Sequence, residues 1–126
     1  TNAPQIPSSV TNMKKCFVEC TNLTNAPQIP SSVTRMGYCF YRCTSLTTVP
    51  PIPSSVTNMQ QCFASCEKLT SVTLKCNYSV GDKFENTFED CTSLTAGSIK
   101  VPADQVATYQ ANAGTMGTEA DRFVAE

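Results

Sequence analysis

SSVTNMKKCFVECTNLTNAPQIP, residues 8–30, is followed at once by SSVTRMGYCFYRCTSLTTVPPIP, residues 31–53. The two segments share the core M-x-x-C-F-x-x-C-x-x-L, and a third copy of that core begins at Met59. A degenerate fourth copy begins at Phe84, after a spacer two residues longer than the others. Self-similarity at a fixed period is typical of proteins built from stacked repeats. The sequence therefore predicts a solenoid with a 23-residue repeat.

Each repeat separates constant positions from changing ones. The Met, Cys, Phe, Cys and Leu columns are constant, and these residue types are most often found buried. The changing positions are Lys14-Lys15, Gly37-Tyr38, Gln60-Gln61, Val18-Glu19, Tyr41-Arg42 and Ala64-Ser65. Because one repeat cannot bury its constant side alone, successive repeats must stack to form a continuous core. We therefore expect Phe17, Phe40 and Phe63 to lie in single file inside, with the changing positions facing solvent.

The core segment predicts a short helix. Its apolar residues recur at i, i+3, i+4 and i+7, which is one stripe of a helix, and its length of about two turns favours a partly 3₁₀ conformation. The segment after each Leu is extended, because proline biases the preceding residue toward β geometry. Pro27, Pro50 and Pro51 remove donors from that segment, so we expect short strands.

The C-terminal tail, residues 99–126, predicts a cover for the end of the array. Pro102 suits the first turn of a helix, Gly114 is placed to stop it, and Thr118 is placed to cap a second short helix. The inward positions of the two helices are Val106, Tyr109, Ala113, Ala120, Phe123 and Val124. Open solenoid ends need such a cover.

The repeat resembles a known family. I-P-S-S-V-T-x-M-x-x-C-F-x-x-C-x-x-L-T is similar to the leucine-rich repeats of BspA-like bacterial surface proteins, over about residues 6–96. The resemblance implies an α/β solenoid, which we predict to be right-handed. Residues 1–98 would hold a partial first repeat, three regular repeats and a degenerate one, and residues 99–126 would form a helical cap. It also implies a bacterial cell-surface or secreted protein that binds other molecules.

Composition excludes several classes of function. The net charge is −1 and only 15% of residues are charged, so no field favours nucleic acid. No apolar run approaches the roughly 18 residues that span a bilayer. Histidine is absent, which removes the commonest general base and metal ligand. We therefore expect no enzyme, no catalytic residue, no cofactor and no membrane insertion.

The eight cysteines leave three states open. Zinc needs four converging ligands, whereas pairs in successive coils share one geometry and lie in apolar surroundings. Disulfides suit a secreted protein with an even cysteine count, and Cys76 stands alone in the enlarged spacer. Free thiols would act as small apolar side chains, and Thr87 in a Cys column fits that packing role.

Two sets of surface residues are candidate binding sites. Tyr38, Tyr41 and Arg42 cluster in the second repeat, and these types are enriched at binding hot spots. The strand segments present a hydroxyl row at Thr47, Thr48, Thr70 and Ser71. The alternatives are that the tyrosines only cover the neighbouring coil and that the hydroxyls are only solvated.

The sequence favours a non-catalytic binding module for a protein or glycan ligand, in adhesion or host interaction. The alternative is a structural element that associates end to end, since the chain starts with TNAPQIP, the sequence of residues 24–30, and so begins inside a repeat. The carboxylates of Glu85, Glu89 and Asp90 are interpreted as a solvated face rather than an acid–base pair.

Overall fold

The computed structural model describes residues 5–79 and 81–126, so the first residues of the predicted partial repeat lie outside the described part. Its helices and strands are β1 (Val72–Thr73), β2 (Ile99–Val101), α1 (Val106–Ala111) and β3 (Phe123–Ala125), with 3₁₀ turns at Gly81–Phe84, Ala103–Gln105 and Ala120–Arg122. The three strands form one parallel sheet in the order β1-β2-β3. Most of the chain is instead held by repeated turns.

Successive coils lie on top of one another. The amide of Thr34 donates to the carbonyl of Thr11 (2.8 Å), and the amide of Thr57 donates to that of Thr34 (2.9 Å). A side-chain bond repeats the same spacing, since the hydroxyl of Thr47 donates to the carbonyl of Thr24 (3.1 Å), 23 residues earlier. The chain is therefore a repeat solenoid, and each coil is bonded to the next.

The constant phenylalanines form a single file inside the stack, as predicted. The ring centroids of Phe17 and Phe40 are 5.4 Å apart, and those of Phe40 and Phe63 are 5.6 Å apart, with planes within 4° of parallel. Phe88 continues the file at 5.7 Å from Phe63. Phe123 of β3 meets Phe88 nearly edge-on, at 6.5 Å and 67°. The file therefore runs from the first coil to the last strand.

The predicted helix is wrong. Between residues 5 and 79 the structure has no helix. The amide of Cys16 donates to the carbonyl of Met13 (3.1 Å), as in a β-turn, and Lys15 at its third position has a φ of 61°. A left-handed third residue is a requirement of the type II turn. The next four residues repeat this arrangement, with Glu19 at a φ of 56°.

The turns free alternate amides for bonding between coils. In the first coil these bonds run from the amide of Met13 to the carbonyl of Arg35 (2.7 Å), from Lys15 to Gly37 (2.9 Å), from Phe17 to Cys39 (2.8 Å) and from Glu19 to Tyr41 (2.7 Å). Equivalent bonds join the second coil to the third and the third to the fourth. A helix would consume these amides internally. We call this arrangement the amide ladder, and the M-x-x-C-F-x-x-C stretch of each coil the turn segment.

Proline limits the strands, as predicted. In the first two spacers the extended segment makes isolated bridges, such as that between Asn25 and Thr48. The proline-free third spacer forms β1, which extends the sheet. One detail of the surface prediction is wrong, because Gly37 and Ala64 are buried among their neighbours instead of facing solvent.

The tail packs on the last coil. Tyr109 of α1 is fully buried, and its hydroxyl donates to the carbonyl of Cys76 (2.7 Å). The predicted second helix is wrong beyond one 3₁₀ turn, because Phe123 starts β3, which pairs with β2. Along this strand the exposure rises from the buried Phe123 through the half-buried Val124 to the exposed Ala125. A strand there satisfies the open edge of the sheet.

Neighbouring glutamines in the third coil test the turn geometry. Gln61 has a φ of 51°, whereas Gln60 does not have a positive φ, and both are partly buried. A β-branched residue is poorly tolerated at positive φ. We expect Gln61→Val to lower the free energy of unfolding by about 1–3 kcal/mol and Gln60→Val by a few tenths, measured by urea denaturation. Equal, small effects at both positions would indicate a helix instead.

Candidate functional site

The turn segments display the changing residues on a fixed backbone. Their outward side chains form a surface that we call the turn face. Two residues in each coil are left-handed, and all are non-glycine: Lys15, Glu19, Tyr38, Arg42, Gln61, Ser65, Asn86 and Asp90. The amides of these residues in the first three coils donate to the next coil. Main-chain bonds therefore hold the backbone in place at positions that carry side chains as different as Lys, Tyr and Gln.

Tyr38, Tyr41 and Arg42 come together on this face. The rings of Tyr38 and Tyr41 meet edge to face, with centroids 5.4 Å apart. The Arg42 guanidinium lies over the Tyr41 ring, 5.2 Å from its centroid. Within one coil, the cluster is as the sequence predicted.

The first coil adds two residues that sequence reasoning missed. The Lys15 ammonium lies over the Tyr38 ring, 5.9 Å from its centroid. The Glu19 carboxylate lies 3.5 Å from the Arg42 guanidinium, with both side chains 57% exposed. Such an exposed ion pair contributes little to stability. Both residues stand one repeat before the residue they contact, so the period identifies them once the register of the coils is known. We call the five residues the aromatic patch.

The predicted hydroxyl row is largely used between coils. The hydroxyl of Thr47 donates to the carbonyl of Thr24, and that of Thr70 to the carbonyl of Thr47 (3.4 Å). Thr48 donates to the side-chain oxygen of Asn25 (2.7 Å). Ser71 is exposed. Since the threonine protons already serve the stack, this row offers a partner fewer donors than the sequence suggested.

All eight cysteines are free thiols. In the second column, three thiols donate to the phenylalanine carbonyl of the preceding coil: Cys43 to Phe17 (3.0 Å), Cys66 to Phe40 (3.1 Å) and Cys91 to Phe63 (2.9 Å). A thiol therefore fills a small apolar space and also supplies a weak donor. A disulfide would remove that donor.

Thr87 replaces a cysteine in the first column, and it too fills a small buried space while supplying a hydrogen-bond donor. It is fully buried, and its hydroxyl lies 2.8 Å from the carbonyl of Phe84 and 3.0 Å from that of Met59. A buried hydroxyl without such acceptors would be costly. Threonine can therefore replace cysteine here because carbonyls from two coils accept its hydrogen bond.

Burial keeps the inner thiols protonated. Desolvation raises the pKa of Cys43 and Cys76 to about 11 and that of Cys91 to about 12. Because the thiolate is the nucleophile and the metal ligand, these groups are unreactive near neutral pH. Among the residues that the structure describes, no three metal-ligating side chains converge. The three carboxylates interpreted as a solvated face differ in their surroundings. Glu89 and Asp90 are exposed. The carboxylate of Glu85 accepts a hydrogen bond from the side-chain amide of Gln60 (3.4 Å).

A cleft of about 430 Å³ lies at the first coil. It is lined by Gln5, Ile6, Pro7, Ser8, Gln28 and Pro30. Its polar lining consists of the uncharged side chains of Gln5, Ser8 and Gln28, so the cleft offers no charged group that could form an ion pair with a ligand. The aromatic patch is therefore the stronger candidate.

Stacked coils with a regular Leu column and a displayed, variable surface define a leucine-rich-repeat solenoid. The pattern of the BspA type leucine-rich repeat region matches residues 2–113 in six copies, and the chain belongs to that family. Repeats of this family form protein-interaction modules, are typically non-catalytic and are commonly surface-associated. In the described residues, no helix has the length and apolarity to cross a membrane.

A solved structure is similar to this chain. It is a leucine-rich repeat protein from Bacteroides ovatus, with 24% sequence identity and a TM-score of 0.46. The match covers 79% of this chain and 31% of that protein, so the chain spans about a third of its length. No curated protein matches the chain.

The buried thiols predict a pH limit on stability. Their pKa is raised above the ordinary value of 9.0, so the folded state holds protons that the unfolded state releases above pH 9. The melting temperature should be constant from pH 6 to 8 and fall as the pH rises from 9 toward 11. Cys43→Ser, which cannot ionise, should reduce that fall more than Cys16→Ser, because Cys16 is exposed. A melting temperature unchanged to pH 10.5 would contradict this account.

Proposed function

We propose that this chain is a non-catalytic binding module of a bacterial cell-surface or secreted protein, acting in adhesion or host interaction. The aromatic patch is its contact surface. The observation that carries the proposal is the tyrosine pair with Arg42, held on a backbone bonded to the coils on both sides. Membership of a family of surface-associated interaction repeats supports the location.

The patch is arranged to bind at a small entropic cost. The amide of Tyr38 donates to the carbonyl of Gln60 (2.8 Å), and the amide of Arg42 donates to that of Ala64 (2.9 Å). The Tyr41 ring and Glu19 then restrict the Arg42 side chain. Since ordering of side chains is a main cost of association, a restricted surface retains more of its contact energy.

The finer architecture belongs to the same proposal. We propose a right-handed solenoid with 23 residues in each regular coil, in which residues 1–98 form the array and residues 99–126 form the C-terminal cap. Side-chain hydrogen bonds between residues 23 apart support the period. The amides of Asn86 and Phe88 donate to the carbonyls of Thr115 and Met116, which supports the capping role.

Paired variants distinguish the two predicted faces. Tyr38→Ala/Tyr41→Ala removes the aromatic patch, whereas Thr48→Ala/Thr70→Ala alters the hydroxyl row. Each is compared with the parent chain by biolayer interferometry against immobilised extracellular-matrix proteins. We expect the tyrosine variant to weaken binding to any protein that the parent binds by at least tenfold, since hot-spot truncation costs about 2 kcal/mol or more. Binding lost only in the threonine variant would transfer the function to the hydroxyl row.

A second candidate function is assembly at the first coil. No described residue donates to a row of carbonyls on the outer edge of that coil: Asn12, Lys14, Cys16 and Val18. These are the positions that accept the amide ladder in the next coil. A partner at this edge would therefore have to supply a row of amides.

The hydrogen-bond polarity opposes self-association at that edge. A second copy would have to present the amides of its own last coil, but the tail already takes two of them, from Asn86 and Phe88. Two first-coil edges would place carbonyls against carbonyls. We expect sedimentation equilibrium to give a monomer mass at concentrations up to about 100 μM, a range in which weak interfaces associate. A dimer mass within this concentration range would support assembly instead.

A further inference from the structure

We propose that the aromatic patch recognises an acidic peptide segment, whose carboxylates bind to Lys15 and Arg42, and that it does not recognise a glycan. This inference rests on the proposed function and names the chemistry of the partner at the same site. Three features carry it: the ring faces, the available donors, and the charge gradient along the turn face.

The exposed ring faces are already partly covered. Lys15 lies over Tyr38 and Arg42 lies over Tyr41, at 5.9 and 5.2 Å from the ring centroids. The two rings also meet each other edge to face. A sugar that stacks on an aromatic side chain needs an open ring face. A sugar that stacks on the faces under Lys15 and Arg42 would have to displace these cations, and the cation–π attraction would be lost.

The polar groups of the aromatic patch that remain available to a ligand are hydrogen-bond donors. In the described part of the chain, the side chains of Tyr38 and Tyr41 make ring contacts, and no residue hydrogen-bonds to their hydroxyls. Arg42 uses one guanidinium nitrogen for Glu19, and its side chain is 57% exposed. The Lys14 side chain lies next to Gly37 of the second coil: its Cγ would be 3.8 Å from a Cβ added to that glycine. Arginine donors match carboxylate oxygens in spacing and charge, so an acceptor-rich, anionic ligand fits these groups.

The charge of the turn face changes along the stack. The first two coils carry the cations Lys14, Lys15 and Arg42 against the single carboxylate of Glu19. The equivalent positions are uncharged in the third coil, at Gln60, Gln61, Ala64 and Ser65, and acidic in the fourth, at Glu85, Glu89 and Asp90. The first and the fourth coil are separated by three successive phenylalanine ring spacings of 5.4 to 5.7 Å each. The distance between these two coils therefore exceeds the Debye length of about 8 Å at physiological salt.

The gradient therefore sets the position of the ligand. An acidic segment is attracted to the first two coils, and the carboxylates of the fourth coil repel it from the other end. Glu19 competes with such a ligand for Arg42, because it occupies the guanidinium in the free protein. Removal of that carboxylate should strengthen binding, whereas a purely structural ion pair would give no gain.

A labelled peptide provides the test. The probe is a fluorescein-labelled dodecapeptide of alternating Glu and Ser, and the control peptide replaces every Glu with Gln. Binding to the full chain is measured by fluorescence anisotropy at 50 and 150 mM NaCl, with unlabelled polygalacturonate as an acidic glycan competitor. We expect the Glu peptide to bind, the Gln peptide to bind at least tenfold more weakly, and affinity to fall with salt.

Matched variants locate the site. Lys15→Gln/Arg42→Gln should weaken the Glu peptide about tenfold, while Lys68→Gln/Lys100→Gln removes the same charge elsewhere and should change it less than twofold. Glu19→Gln should strengthen binding two- to fivefold. Far-ultraviolet circular dichroism and melting temperature establish that each variant is folded.

The outcomes separate this inference from the proposed function. Equal affinity for the Glu and Gln peptides, equal losses in the two charge variants, or tighter binding of polygalacturonate would overturn the acidic-peptide assignment. If Tyr38→Ala/Tyr41→Ala still weakens capture of a matrix protein, the binding function stands although the partner chemistry is wrong. If neither peptide binding nor capture of a matrix protein depends on the patch, both the acidic-peptide assignment and the proposed binding function are wrong.

Discussion

The amide ladder is the constraint on which the rest of the structure depends. Each turn segment places alternate amides against carbonyls of the next coil, at 2.7 to 2.9 Å. A buried amide without a partner costs about 1–3 kcal/mol, and a left-handed non-glycine residue costs about 1–2 kcal/mol. Each of the first three coils makes four such bonds, the fourth makes two with the tail, and all four coils have two left-handed residues. The turns therefore depend on a neighbouring coil, whose carbonyls accept the amides that a helix would bond internally.

That condition explains how much of the fold the sequence could predict. The stacking, the phenylalanine file and the buried columns follow from the repeat and need no knowledge of the backbone. The helix prediction was wrong because consecutive four-residue turns and a helix both place i, i+3, i+4 and i+7 on one side, as at Met13, Cys16 and Phe17. In the first three coils the left-handed positions carry Lys, Glu, Tyr, Arg, Gln and Ser, which give no local signal of positive φ; Asn86 and Asp90 of the fourth coil are of types enriched there. Only contact with the next coil distinguishes consecutive turns from a helix.

The cysteine columns depend on the same register. Cys43 and Cys66 each reach a phenylalanine carbonyl 26 residues earlier, a pairing that exists only once the coils are stacked. Sequence spacing could therefore not separate free thiols from disulfides or zinc. In the stack, the position requires a side chain that is small, nearly apolar and able to donate weakly, which a thiol satisfies without the desolvation cost of a stronger polar group. At Thr87 a second carbonyl offsets that higher cost.

The separation of backbone from side chain is also what makes the turn face suitable for recognition. Because the ladder uses main-chain atoms, Lys15, Tyr38 and Gln61 occupy equivalent positions although their chemistry differs. The sequence located the tyrosine cluster, which lies within one coil. It missed Lys15 and Glu19, because a contact across coils requires the register as well as the period. A change between side chains that tolerate the left-handed conformation alters the chemistry of this face while the main-chain bonds stay in place, so the surface can vary within one fold.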